Sequence, residues 1–302
     1  DKVLVLITRN YGVSDPVLNM GIPELLLERG HKVITLSHLP GHSLDISKEY
    51  PNLYWPFGQH IISGAKLIIH HPNLYAVYLT NHGCGPDSMI SHMFREEMGD
   101  KPYLQIEVDE HFSKVGVITR IEAFLNSLSK RETKALSEDF RLEKVQGRKV
   151  DIPEHIDLEM SLFLPDFGLY TGYLQEYFET QGYEVHRMPA INEETIALGR
   201  SYTSSKEYLT FSALLGSVLA GSDSCKNADK AAQYLIPQTL GADAEGQYAR
   251  VIYGILQENG RNQVHLTAPV LERIPEYLKK REVDADLPFH TWNVRRNFRK
   301  QS

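Results

Sequence analysis

At 302 residues, 42% hydrophobic and 24% charged, the chain has an ordinary globular composition and enough length for about two domains. A net charge of −7 argues against nucleic acid as the main partner, and no apolar stretch approaches the roughly 20 residues of a membrane span. Two cysteines far apart, Cys84 and Cys225, give no disulfide framework; with no signal-peptide pattern, a cytoplasmic location is expected.

The strand-like run at 2–7 begins directly after Asp1, which suggests either a domain cut from something larger or a processed N-terminus. Its continuous apolar character fits a strand covered on both faces. A polar loop at 8–15 follows, then a helical pattern over 16–29 closed by Gly30, then a strand at 33–36. Residues 74–79 read as the next strand and 88–98 as a helix with Asp87 or Ser88 as N-cap. A strand from 102 to 108 precedes a helix containing 118–128, and the charged stretch 131–154 reads as a connector or as a surface helix and hairpin.

The same order then returns: strand 158–164, loop 165–172, helix 173–180, Gly182 and strand 183–187. A strand at 232–236, a helix at 246–259 and a strand at 263–267 complete it. Strands separated by helices of this length imply parallel sheets. The expected fold class is α/β, with two similar doubly wound Rossmann- or flavodoxin-like domains. They are placed at 1–130 and 155–302, joined by 131–154.

The segment Tyr78-Leu-Thr-Asn81-His-Gly-Cys84-Gly-Pro-Asp-Ser88 sets a thiol between two glycines, where a strand ends and a helix begins. Glycines permit a tight turn, and a helix N-terminus favours the thiolate as nucleophile or metal ligand. In open α/β sheets, sites form at carboxyl strand ends. Arg9-Asn10-Tyr11 follows another such end and suits an anion, although no nucleotide-binding fingerprint is present. Asp109-Glu110-His111 is a third cluster, suited either to acid–base chemistry or to capping the next helix. Arg200 and Lys206, in a hydroxyl-rich stretch before an apolar helix, suit an anion cradle; alternatively Ser204 or Ser205 is an N-cap with Glu207 in the first turn. His70, His71 and His82 lack the spacing of a zinc site, and Cys225 lies in a polar loop. No residue is assigned a catalytic role.

Longer strings carry a resemblance. "RNYGVSDPVLNMGIP", "YWPFGQHI", "HPNLYAVYLTNHGCGPDSMISHMFREEMGDKPYLQIEVDEH" and "GVITRIEAFLNSL" resemble the acyl-CoA dehydratase activase-related proteins, linked to the 2-hydroxyacyl-CoA dehydratases and double-cubane-cluster reductases. The likeness covers most of 1–130, and "GRSYTSSKE" and "GQYARVIYGIL" match a later part more loosely. It implies that Cys84 corresponds to a ligand of an iron–sulfur cluster, and so is a candidate metal ligand. The chain departs from the pattern elsewhere. Where the family usually has cysteines it carries Tyr208 and Ala242-Asp243-Ala244, and the upstream cluster cysteines and ATPase modules are absent from these residues.

Two functions follow as expectations. One is the C-terminal module of such a protein, supporting ATP-driven low-potential electron transfer through a cluster completed outside this chain. Its partners would be the remainder of a longer polypeptide, a homologous subunit or a second copy. The other is a non-redox ligand-binding or scaffold module of the same fold. Either way, a cluster is expected only in a full-length protein and not on this chain alone, which is expected to have little or no catalytic turnover.

Overall fold

The computed structural model describes residues 1–81, 83–109, 113–133, 145, 150, 152–166, 168–204, 206–224 and 231–270. Two four-stranded, all-parallel sheets organise the chain. The first contains β1 (Val3–Ile7), β2 (Lys32–Thr35), β3 (Leu74–Asn81) and β4 (Leu104–Val108), in the order β2-β1-β3-β4. The second contains β5 (Ser161–Leu164), β6 (Val185–Arg187), β7 (Ala232–Leu235) and β8 (His265–Thr267), in the order β6-β5-β7-β8. In both, the first strand pairs with the second and third, and the fourth joins the third. The repeated plan read in the sequence is therefore a repeated topology: two doubly wound α/β domains.

Helices cover both faces. In the first domain they are α1 (Asn10–Ser14), α2 (Ile22–Glu28), α3 (Pro56–His70), α4 (Gly85–Met98) and α5 (Lys114–Ser129). In the second they are α6 (Leu169–Thr180), α7 (Glu193–Arg200), α8 (Leu209–Ser224) and α9 (Tyr248–Glu258). Strand alternation sorts the core, because successive side chains point to opposite faces. Leu4 and Leu6 of β1 pack with Ile22, Leu26, Ile121 and Phe124 of α2 and α5. Val5 and Ile7 belong to the opposite cluster, with Ile61 and Ile62 of α3 and Met93 and Phe94 of α4. That cluster continues into Phe211, Leu215, Val218, Val251 and Ile252 of α8 and α9. A shared apolar layer thus lies between the two sheets, while Phe178 of α6 covers the outer face of the second with Leu162 and Leu164.

Several local expectations are corrected; α6 starts at Leu169, inside the expected loop 165–172. The loop at 8–15 contains the short helix α1, and the helix placed at 16–29 starts only at Ile22. Asp15 Oδ1 accepts the N–H groups of Val17 and Leu18, and Met20 and Gly21 have φ of 60° and 64°, so 15–21 folds as turns. The N-cap of α4 is Cys84, not Asp87 or Ser88, with Pro86 inside the first turn. Glu207 precedes α8 and does not lie in its first turn. Most of 131–154, Ser205 and 271–302 fall outside the described residues.

Helices α7 and α8 pack face to face through Gly199 and Gly216. A Cβ on either would overlap the partner helix's backbone, at Ser212 O and Thr195 O respectively. Only glycine permits that approach.

Candidate functional site

Parallel pairing of β1 with β3, with Ile7 opposite Tyr78, brings their carboxyl ends to one edge. Arg9 leaves β1 there and reaches the N-terminus of α4. Its Nη2 donates to Cys84 Sγ at 2.8 Å and to Asp87 Oδ1 at 2.7 Å, and its Nε reaches the same oxygen at 3.2 Å. The guanidinium carbon lies 4.2 Å from the centroid of the Phe57 ring. Asp87 is buried, and its Oδ2 accepts the Asn81 backbone N–H at 2.9 Å. The Asn81 amide donates in turn to the Tyr11 hydroxyl at 2.5 Å. Burial opposes the Arg9 charge, but the hydrogen bond and charge of Asp87, then Cys84 and Tyr11, raise its pKa above the ordinary value. A fixed cation therefore sits against a half-buried thiol.

The second domain closes over this edge. A Cβ on Gly85 would overlap the Tyr208 hydroxyl, so the phenol packs directly on the backbone next to Cys84. Trp55 Nε1 donates to Ala242 O at 3.0 Å, and the Tyr248 hydroxyl lies 2.9 Å from Thr210 Oγ1. Burial raises the Tyr248 pKa; Thr210 opposes this, and Glu245, Tyr208 and Asp243 add to it. The Cys84 loop, Tyr208 and the 242–244 segment thus converge on one seam.

The remaining candidates divide. Asn10 and Tyr11 are exposed on α1. Lys206 Nζ crosses the seam to Glu107 Oε2 at 2.8 Å. Arg200 is exposed in the last turn of α7. The loop that follows already holds an anion: Glu207 accepts the Ser204 and Lys206 backbone N–H groups and the Ser204 hydroxyl. Asp109 follows β4 and is partly buried, whereas Glu110, His111, His82 and Cys225 lie outside the described residues. His70 Nδ1 contacts Lys66 O at 2.7 Å, and His71 Nδ1 accepts the Asn73 N–H at 3.2 Å. Among the described residues, no three His, Cys, Asp or Glu side chains form a metal-sized group.

Sequence reasoning missed His92. Its Nε2 meets Glu207 Oε1 at 2.5 Å, and its Nδ1 faces Arg95 Nη2 at 3.1 Å. Since Arg95 can only donate, Nδ1 accepts, and the ring proton is placed on Nε2 toward Glu207. Burial pushes the Glu207 carboxyl upward. The His92 contact, the loop's own N–H groups and the Ser204 hydroxyl outweigh it and bring the carboxyl down to about 2.

The cluster implied by the resemblance can be tested against these donors. Iron–sulfur clusters are held by several thiolates, commonly four. Around Cys84 the seam presents a guanidinium bonded to the sulfur and a phenol packed on the adjoining glycine. Among the described residues, that donor set does not fit an iron–sulfur cluster.

No family model matches this sequence, and no curated protein does. Among solved structures, a D-lactate dehydrogenase from Sporolactobacillus sp aligns over 88% of each chain at 12% identity, with a TM-score of 0.16. No helix among the described residues is long and apolar enough to cross a membrane.

Proposed function

We propose that this chain is a non-redox binding and scaffold module of the acyl-CoA dehydratase activase-related type. Its two α/β domains are held in a fixed relation around a seam that has lost its cluster ligands. The observation that carries the reading is Tyr208. It stands where the resembling proteins usually place a cysteine, and its phenol packs on Gly85 while Arg9 bonds the Cys84 thiol. Buried ion pairs support the scaffold role. Arg250 of α9 bonds Glu96 of α4 at 2.7 Å, and Lys66 of α3 lies between Glu49 at 2.7 Å and Glu97 of α4 at 3.0 Å.

A second reading keeps the chain as part of a larger electron-transfer protein. It is favoured by Cys84 itself, a half-buried thiol at a strand-end loop and helix N-terminus. Purification without oxygen, followed by iron and acid-labile sulfide assays, separates the two. Iron and sulfide well below one per chain support the non-redox module; stoichiometric amounts that vanish in Cys84→Ser overturn it.

A further inference from the structure

Away from Cys84, along the same helix α4, the two domains enclose a polar cleft of about 210 Å³. Among the described residues, His92, Arg95, Glu107, Arg120, Ser204 and Lys206 line it. It lies below the roughly 300–1,000 Å³ of pockets that hold drug-sized ligands, so only a small molecule or one end of a larger one fits.

Its charge is unusual for a chain whose net charge is −7. Among the described residues three cations line it, from α4, α5 and the segment before α8, against one carboxylate, Glu107. Lys206 is paired with Glu107 at 2.8 Å. Arg120 donates from Nη2 to the backbone carbonyl of Gln105 at 2.6 Å, which leaves the rest of its planar fork facing solvent. Glu258, outside the lining, reaches Arg95 at 3.3 Å, but both side chains are exposed, and such contacts contribute little and exchange readily. The base of the cleft is firm: His92 is buried, held by Glu207 on one side and in contact with Arg95 on the other.

We propose that this cleft binds a compact phosphate-bearing anion, either inorganic phosphate or the phosphate end of a small phosphomonoester. Two guanidinium forks and an ammonium suit a tetrahedral dianion, since arginine forks pair with two phosphate oxygens at once while lysine acts as a point charge. A monocarboxylate would leave one of these charges unmatched. The ligand would touch both domains and so draw them together, because Lys206 comes from the second domain while Arg95 and Arg120 come from the first.

The test is calorimetric titration of the full chain with inorganic phosphate, glycerol 3-phosphate, acetate and chloride at matched ionic strength. Phosphate or the phosphomonoester should bind at one site, and whichever binds more tightly identifies the source. Acetate should bind at least about tenfold more weakly, and Arg120→Gln should weaken phosphate about tenfold, as expected for one charge-assisted contact. Adding Lys206→Gln should weaken the remaining binding further. Because Arg120 is exposed and Lys206 is only half-buried, circular dichroism of the variants should match the parent. Phosphate heats no larger than chloride, acetate binding as tight as phosphate, or unchanged binding in the folded double variant would each overturn the assignment. Iron content plays no part in this readout, so its failure leaves the non-redox reading standing.

Discussion

His92 and Glu207 lie 115 positions apart in the chain, yet they meet at 2.5 Å, Nε2 to Oε1, between helix α4 of one domain and the loop before α8 of the other. The Glu207 side chain is completely buried. This contact joins the seam beside Cys84 to the cationic cleft farther along α4.

The pair sets a pH dependence. The Glu207 carboxyl is depressed from 4.5 to about 2, so the stability it contributes is fully present above pH 4.5 and is lost as pH falls through about 2. Glu207→Gln should destabilise the protein by about 2 kcal/mol at pH 7, the cost of weakening a charge-assisted buried hydrogen bond. Urea unfolding across pH should show the gap between parent and variant closing below pH 4.5. A gap of constant size down to pH 2 would show that the carboxylate's charge is not involved.

Gly216→Ala should destabilise the protein by about 1–3 kcal/mol, in the range of overpacked cores. The new methyl group would meet the Thr195 carbonyl and the Gly199 backbone of the opposing helix, which cannot retreat as a flexible side chain can. Thermal unfolding gives the value. A variant at least as stable as the parent would mean that α7 and α8 are not in backbone contact there.

Lys66 is 2% exposed and lies between two carboxylates. Lys66→Met should cost about 3–5 kcal/mol, because it strands buried negative charge. Adding Glu97→Gln should recover part of the loss by removing one stranded carboxylate. Chemical denaturation of the single and double variants measures both effects. A double variant less stable than Lys66→Met alone would contradict the charge argument.

Much of the fold was legible because it rests on local signals. Continuous apolar runs such as 3–7 mark strands buried on both faces, and Gly30 and Gly182, with φ of 78° and 86°, end helices where left-handed backbone is needed. The Cys84 loop was legible for the same reason. Three features escaped because they depend on side-chain geometry that no periodicity encodes. Asp15 diverted the chain into turns by capping two nearby N–H groups, delaying α2 to Ile22. The role of Asp87, read only as a cap, is to hold Arg9 against Cys84. His92 and Lys206 found their partners on the other domain, at separations where sequence carries no pairing signal.

The most direct measurement of the central claim is anaerobic reconstitution of the purified chain with iron and sulfide, followed by visible absorption and iron analysis. One thiol held by Arg9 and a phenol packed on Gly85 predict no broad charge-transfer band near about 400 nm, where thiolate-bound clusters absorb, and iron well below one per chain. A stable band with stoichiometric iron, abolished by Cys84→Ser, would contradict it.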